Sequence, residues 1–204
     1  QGRKGGLSLE QFRHLYDADP FYSWFGLSSP LMYAAHKAAG GMTSVYRQIG
    51  IGCQWVFAEA LKDSLQLGTT GVNWSYSVGR RGKTRQLSLD WRIPLASLPG
   101  ADASKRVRGW LNQAAIEAGV PAKSRPHLDG AVFEVRQGYK SKDSKRQNAD
   151  IANASTAYIK SYLPCAVILS NQIDGDILLR YRAEKWAVIT GVVGRNDPLS
   201  STYD

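Results

Sequence analysis

The segment Leu128–Asp150, LDGAVFEVRQGYKSKDSKRQNAD, places a short apolar stretch, acidic side chains and a basic cluster in close succession. The apolar residues between 131 and 135 predict a strand of an α/β sheet that is covered on both faces. Glu134 interrupts this stretch, and an unpaired charge in a buried strand is costly. We therefore expect Glu134 either to form an ion pair with Arg136 or to bind a metal ion beside Asp129.

A basic cluster follows this strand and leads into a predicted helix. It consists of Lys140, Lys142, Lys145 and Arg146. Apolar residues at helical spacing predict the helix over residues 144–163. A basic turn in this position is suited to binding a phosphate group.

After this helix the chain is expected to return to the sheet. The continuous apolar run CAVILS, residues 165–170, is typical of a central strand, and WAVIT, residues 186–190, predicts another. The order strand, helix, strand predicts a right-handed βαβ unit with parallel strands.

Helices and a hairpin are predicted ahead of Leu128. Apolar spacing predicts helices over residues 43–65 and 104–118. Alternating residues predict strands over 72–78 and 86–93, joined as an antiparallel hairpin. The hairpin tip carries four basic residues suited to contacting phosphates or guanine edges, Arg80, Arg81, Lys83 and Arg85.

Together these elements predict an α/β fold with a mixed central sheet flanked by helices on both faces. Residues 1–42 are expected to form an aromatic-rich N-terminal arm and residues 43–204 the α/β domain. Because the chain has 204 residues, we expect a single compact domain overall.

Composition narrows the classes of partner. The formal net charge of +9 favours a polyanionic partner, of which nucleic acid is the commonest for a basic domain. Cys53 and Cys165 provide neither a disulfide framework nor a CxxC metal site, which suits a reducing cytoplasm. No apolar run has membrane-spanning length, so no membrane partner is expected.

Because several common catalytic motifs are absent from the sequence, the remaining candidates for chemistry are acidic and basic side chains. The chain has no Walker loop, GxGxxG fingerprint, GxSxG elbow or HExxH motif. Hydrolysis of a phosphodiester needs a metal ion to activate water and a cation to offset charge in the transition state. Asp129 and Glu134 are oxygen ligands of the kind that Mg²⁺ prefers, and Arg136 leaves the strand on the same face as Glu134.

This arrangement resembles the PD-(D/E)XK nuclease superfamily, in which an Asp precedes an acidic-X-Lys triplet on the next strand of a helix-flanked sheet. Leu128-Asp129 stands where the family has Pro-Asp, and Glu134-Val135-Arg136 stands where it has Glu-X-Lys. The basic run KSKDSKR and the NAD-containing helix after it are most similar to type II restriction endonucleases. The order of elements over residues 43–191 agrees with the superfamily.

The resemblance implies a nuclease-like core and Mg²⁺-dependent cleavage of duplex DNA at a specific sequence. A homodimer is expected, because palindromic sites match two-fold symmetry. Asp129 and Glu134 would hold the metal, and Arg136 and Lys140 would stabilise charge. The expected contacts to backbone phosphates are Lys142, Lys145 and Arg146, together with the hairpin tip.

Two features of the triplet leave alternatives open. Arg136 replaces the usual Lys, and an Arg stabilises phosphate charge but does not readily accept a proton, so Lys140 or Lys142 is a second candidate for the basic group. If the strand runs straight from Asp129 to Glu134, one ion cannot bridge them, and Asp90 becomes the first acid. Asp129 is the preferred candidate.

Two other functions agree with the same residues. One is a structure-selective nuclease such as a Holliday junction resolvase. The other is a non-catalytic DNA-binding protein on a nuclease scaffold, which the Arg at position 136 would explain.

Overall fold

The computed structural model describes residues 7–18, 24, 26–80, 83–138, 144–171 and 173–204. The chain divides into two compact units, Gln1–Ile49 and Gly50–Asp204.

The helices of the described residues include one that is much longer than the sequence predicts. Their bounds are α1 Leu9–Asp17, α2 Pro30–Leu65, α3 Thr69–Val72, α4 Ala101–Glu117, α5 Ser144–Ile159 and α6 Gly175–Ala183. Short 3₁₀ turns occur at Leu95–Ser97 and Arg125–His127. None of the helices that the structure describes is both long enough and apolar enough to cross a membrane.

Helix α2 begins at Pro30, well ahead of the start predicted at residue 43. The Ser29 hydroxyl accepts the backbone N–H of Met32, which is the bond expected of an N-cap residue, and proline is favoured in the first turn. Several alanines follow in residues 34–39, and alanine has the highest helix propensity. The last part of the predicted N-terminal arm, from Pro30 onward, is therefore helical.

In the first unit, helix α1 begins at a capping box. The Ser8 hydroxyl accepts the Gln11 N–H, and the Gln11 side chain accepts the Ser8 N–H in return. Phe12 is buried and stacks on Tyr16 with ring centroids 4.2 Å apart. These aromatic residues of the predicted arm are thus part of a local core.

The described residues of the second unit form six strands in two sheets. Their bounds are β1 Trp74–Arg80, β2 Lys83–Leu89, β3 Trp91–Pro94, β4 Gly130–Arg136, β5 Tyr162–Ile168 and β6 Ala187–Ile189. Strands β1 and β2 form an antiparallel hairpin, and the other four form a mixed sheet in the order β3-β4-β5-β6. Strand β3 runs antiparallel to β4, whereas β4, β5 and β6 are parallel. The mixed α/β class and the parallel βαβ unit are therefore confirmed.

Two predicted boundaries are wrong. The single strand predicted over 86–93 is two strands in different sheets, with a bend at Asp90 between them. The helix predicted over 144–163 ends at Ile159, and Ser161, with φ 63°, reverses the chain so that Tyr162 already begins β5. Pro164 lies within β5, where β6 pairs only with Cys165–Val167, so Pro164 pairs only with β4.

The sheet separates two apolar cores. Phe133 and Val135 of β4 face a core to which α2 contributes Phe57 and α4 contributes Leu111. Val132, on the opposite face of β4, packs in a second core built from the hairpin, α5 and α6. Alternation along β4 puts residues 134 and 136 on the same face as Val132, next to this second core.

Candidate active site

Glu134 and Arg136 form an ion pair at the end of β4. Glu134 is 7% exposed although it is charged, and its Oε1 contacts the Arg136 guanidinium. The same Arg136 nitrogen lies 3.5 Å from Oδ1 of Asp150 on helix α5. Arg136 therefore lies between two buried carboxylates, and the ion pair predicted from the sequence is one part of a larger cluster.

Asp150 is fixed from a second side. It is 3% exposed, and its Oδ2 accepts a hydrogen bond from the Tyr181 hydroxyl of helix α6. One turn further along α5, Asn153 Oδ1 accepts the hydroxyl of Tyr76 from the hairpin. Helix α5 thus presents two buried polar residues, and Asp150 is the one that contacts Arg136.

Asp90 occupies the bend between β2 and β3, next to Glu134. Its Oδ2 accepts the backbone N–H of Val135 at 2.8 Å, and its Oδ1 accepts the side-chain amide of Gln54 from α2 at 2.9 Å. Trp91 is paired with Phe133, so one further step along the two strands places Asp90 opposite Glu134. The Asp90 carboxylate therefore accepts the Val135 N–H, which in a continuous sheet would bond to a backbone carbonyl of the neighbouring strand.

The surroundings of Asp90 disfavour its charged form. Burial raises the pKa of Asp90 above its ordinary value, and the negative charge of Asp150 acts in the same direction. The Val135 N–H, the charge of Arg136 and the Gln54 amide lower this pKa without cancelling the effect of burial. Carboxyl groups with a raised pKa in a partly buried cluster are typical of functional sites, although structural ion pairs also produce them.

The cluster as a whole is acidic. Asp90, Glu134 and Asp150 supply three carboxylates against the one guanidinium of Arg136, a formal net charge of −2 when all are ionised. Mg²⁺ binds one or two carboxylates and completes its coordination with water and phosphate oxygens. Asp90 and Glu134 fit this requirement in chemistry and number, although the described residues contain no group of three His, Cys, Asp or Glu side chains arranged around one ion position.

Asp129, the preferred first acid in the sequence, is not brought to Glu134. It is exposed, and its backbone bonds to Ser161 and Leu95 place it just before the start of β4. Pairing with β5 is unbroken from Gly130 to Arg136, so the chain has no bulge that would shorten the path. Five residues of strand separate Asp129 from Glu134 by roughly 17 Å. The strand register therefore places Asp90, and not Asp129, opposite Glu134, which makes Asp90 the better candidate for the first acid.

The predicted basic residues are located only in part. Lys140, Lys142 and Arg81 lie outside the described residues. Arg80 ends β1, and Lys83 and Arg85 lie in β2, beside the turn of the hairpin. Lys145 and Arg146 lie in the first turn of α5. Their proposed contacts with DNA stay predictions.

Other residues of the cluster could not be identified from sequence reasoning. Asp150 stands on an amphipathic helix, Gln54 lies far upstream in α2, and Tyr181 belongs to helix α6, which the sequence reasoning did not predict. The one available signal was the acid in QNAD at the buried face of a helix that directly follows Glu134. Glu59, a further acid near the apolar stripe of α2, is exposed and pairs with Lys62 at 2.7 Å.

Comparisons of the chain with models of known protein families, with curated proteins and with solved structures find no match.

Proposed function

We propose that this chain is a Mg²⁺-dependent endonuclease that hydrolyses phosphodiester bonds in DNA. The observation that carries the proposal is the position of Asp90, whose carboxylate is bonded to the Val135 N–H between Glu134 and Arg136. Asp90 thereby lies beside the end of β4 that carries the Glu134–Arg136 ion pair, and the Arg136 charge acts on its carboxyl group. With Asp90 as the first acid, the pattern is an Asp directly before one strand and Glu-X-Arg on the neighbouring strand, which is similar to the order that the resemblance to the PD-(D/E)XK superfamily implies.

Each group has a role that follows from its chemistry. Asp90 and Glu134 would hold the metal, which on binding polarises the phosphate and activates a water molecule. Arg136 remains protonated, and its planar guanidinium matches two oxygens of a phosphate group. It therefore supplies the positive charge that offsets the developing negative charge on the phosphate. Lys140 remains a second candidate for this role.

Duplex DNA is the proposed substrate. A formal net charge of +9 favours a polyanion. Arg80, Lys83 and Arg85 around the hairpin turn, with Lys145 and Arg146 at the start of α5, supply cations on elements that flank the second core. Cleavage at a specific sequence, as by type II restriction enzymes, is the form of activity we propose, with branched DNA as the alternative substrate.

A plasmid-cleavage assay tests this function. Purified protein with Mg²⁺ is expected to convert supercoiled plasmid to discrete linear fragments, and EDTA is expected to stop the reaction. Cleavage restricted to four-way junctions would instead support a resolvase. Salt-sensitive binding of duplex DNA without cleavage, at any protein concentration and with either Mg²⁺ or Mn²⁺, would reject the nuclease in favour of a non-catalytic DNA-binding protein.

The variant Asp90→Asn is expected to lose cleavage without losing stability. Asn keeps an oxygen that accepts the Val135 N–H, and its NH2 group can donate to the Gln54 side-chain oxygen once the Gln54 amide turns over, but Asn cannot bind a cation as a carboxylate does. Because the pKa of Asp90 is raised in the folded state, its protonated form stabilises the fold at low pH, and this contribution is lost as pH rises through the raised value. At pH 7 the ionised Asp90 therefore opposes folding, whereas the neutral amide does not.

Urea denaturation at pH 7, with cleavage assays on the same samples, measures both effects of Asp90→Asn. We expect an unfolding free energy at least equal to that of the wild type. A loss of more than about 2 kcal/mol, the cost of an unsatisfied buried polar group, would contradict the assigned hydrogen bonds.

We also propose that two copies associate through α2. Met42, Val45, Tyr46 and Ile49 recur at helical spacing and are each 43–51% exposed. No charged residue occurs between residues 38 and 46, whereas the chain as a whole carries +9 and would repel a second copy over most of its surface. An uncharged apolar stripe is the part of the first unit on which a second copy can pack without such repulsion.

Light scattering after size-exclusion chromatography tests this association. The wild type is expected to be a dimer, and the double variant Val45→Glu with Ile49→Glu a monomer. Val193→Glu, at an apolar residue that is 80% exposed in the second unit, serves as the control and should remain dimeric. A monomeric wild type, or loss of the dimer in the control alone, would contradict the proposal.

A further inference from the structure

Arg136 is held by a chain of buried contacts that does not include the two proposed metal ligands. Tyr181 is 2% exposed and packs edge-on against Trp186, with ring centroids 5.2 Å apart. Its hydroxyl donates to Asp150 Oδ2, and Asp150 Oδ1 faces the Arg136 guanidinium. The position of the guanidinium is thus tied to the second core through one carboxylate and one phenol.

Asp150 carries a charge that its hydrogen bond to Tyr181 does not require. A side chain that only joined Tyr181 to helix α5 could be an amide, as Asn153 is for Tyr76 one turn away. An ionised carboxylate is costly to bury and needs a compensating charge, here that of Arg136. Asp150 therefore acts on Arg136 by its charge as well as by its position.

Asp150 competes with Glu134 for the Arg136 guanidinium, since both carboxylates contact the same guanidinium nitrogen. A guanidinium paired with one carboxylate favours a two-point contact that engages both carboxylate oxygens. With Asp150 present, the guanidinium is shared between the two acids. Because the guanidinium divides its hydrogen bonds between the two acids, Glu134 is better able to bind a cation. The two contacts also fix Arg136 where the substrate phosphate would lie.

We propose that Asp150 and Tyr181 are positioning residues: Tyr181 orients Asp150, and Asp150 holds the Arg136 guanidinium for the scissile phosphate while releasing Glu134 for the metal. This proposal rests on the nuclease function proposed above. Residues that orient a functional group in this way affect turnover by about 10- to 100-fold when they are replaced.

Three variants test the positioning role in the full chain. Asp150→Asn is expected to lower kcat by about 10- to 100-fold and to raise the Mg²⁺ concentration required, while KM for DNA changes by less than about threefold. Tyr181→Phe is expected to change the same quantities in the same direction but by less. The double variant should match Asp150→Asn alone, because in this proposal Tyr181 affects Arg136 through its hydrogen bond to Asp150.

Tyr76→Phe is the matched control. It removes another buried tyrosine hydroxyl bonded to helix α5, without any contact to Arg136 in the described hydrogen bonds. We expect it to lower stability as much as Tyr181→Phe does while leaving kcat per folded molecule unchanged. Equal loss of kcat in the two phenylalanine variants, additive losses in the double variant, or an unchanged kcat in Asp150→Asn would each overturn the proposal.

An NMR measurement that does not depend on cleavage separates this proposal from the proposed function. In ¹⁵N-labelled protein, a restrained guanidinium gives resolved Nη–H signals, and we expect them for Arg136 in the wild type and Tyr76→Phe. They should be broadened or lost in Asp150→Asn and Tyr181→Phe. If the wild type cleaves no DNA but shows this pattern, the nuclease function fails and the restraint of Arg136 stands; Arg136 signals that are the same in all four proteins overturn the positioning role.

Discussion

Replacing Glu134 with Gln is expected to lower the rate of Mg²⁺-supported plasmid cleavage by about 10³-fold. Glu134 lies at the point where the proposed metal site meets the Arg136 cluster, and an amide neither carries charge nor binds Mg²⁺ as a carboxylate does. The substitution preserves the shape of a side chain that is 7% exposed. We therefore expect the variant to fold and to bind duplex DNA.

Glu59→Gln is the control for this variant, since Glu59 is an exposed glutamate of the same unit that pairs with Lys62. Its cleavage rate should equal that of the wild type. Retention of more than about a tenth of the wild-type rate in Glu134→Gln would remove Glu134 from the reaction and leave its ion pair with Arg136 as a structural feature.

Replacing Arg136 with Met is expected to lower the free energy of unfolding by about 3–5 kcal/mol, besides abolishing cleavage. Arg136 is the cation between Glu134 and Asp150, and both carboxylates are more than nine-tenths buried. Removing it leaves two buried acids that repel each other. Urea denaturation monitored by circular dichroism measures the change.

Two further variants serve as controls for the loss of stability expected in Arg136→Met. Arg106→Met removes an exposed arginine from helix α4 and should change the unfolding free energy by less than about 1 kcal/mol. Arg136→Lys restores the positive charge, so it should recover most of the stability. A loss below about 1 kcal/mol in Arg136→Met would show that the two carboxylates do not depend on its charge.

The regular elements of the second unit were largely predictable from the sequence because their patterns are local. The apolar run at residues 131–135 and the run CAVILS predict the parallel strands β4 and β5, and the structure confirms both. The alternation of side chains along β4 also predicts that Glu134 and Arg136 share a face, and the structure contains the ion pair that was one of the two alternatives expected for Glu134. These conclusions need no information from distant parts of the chain.

The first acid could not be assigned because it depends on where a strand ends. Residues 86–93 alternate without interruption in sequence, and nothing local to them predicts the bend at Asp90, where the carboxylate accepts a hydrogen bond from the Val135 N–H. That bond joins residues 45 positions apart. Proximity in sequence favoured Asp129, but an extended strand carries Asp129 away from Glu134 with every residue.

The partners of Arg136 were missed for a related reason. Asp150 and Tyr181 come from two helices that are separated in sequence by strand β5, and periodicity indicates which face of a helix is buried rather than what it contacts. The start of α2 was missed because the alanine- and glycine-rich residues 34–41 lack an apolar stripe, although the Ser29-Pro30 pair is a helix-start signal.

The central claim, that Asp90 and Glu134 together hold the catalytic metal, is tested most directly by anomalous diffraction from a crystal of the protein soaked in Mn²⁺. We expect a peak at about 2.1–2.3 Å from carboxylate oxygens of both Asp90 and Glu134. A peak at Asp129, or no peak at Asp90 and Glu134 in protein that cleaves DNA with Mn²⁺, would contradict the claim.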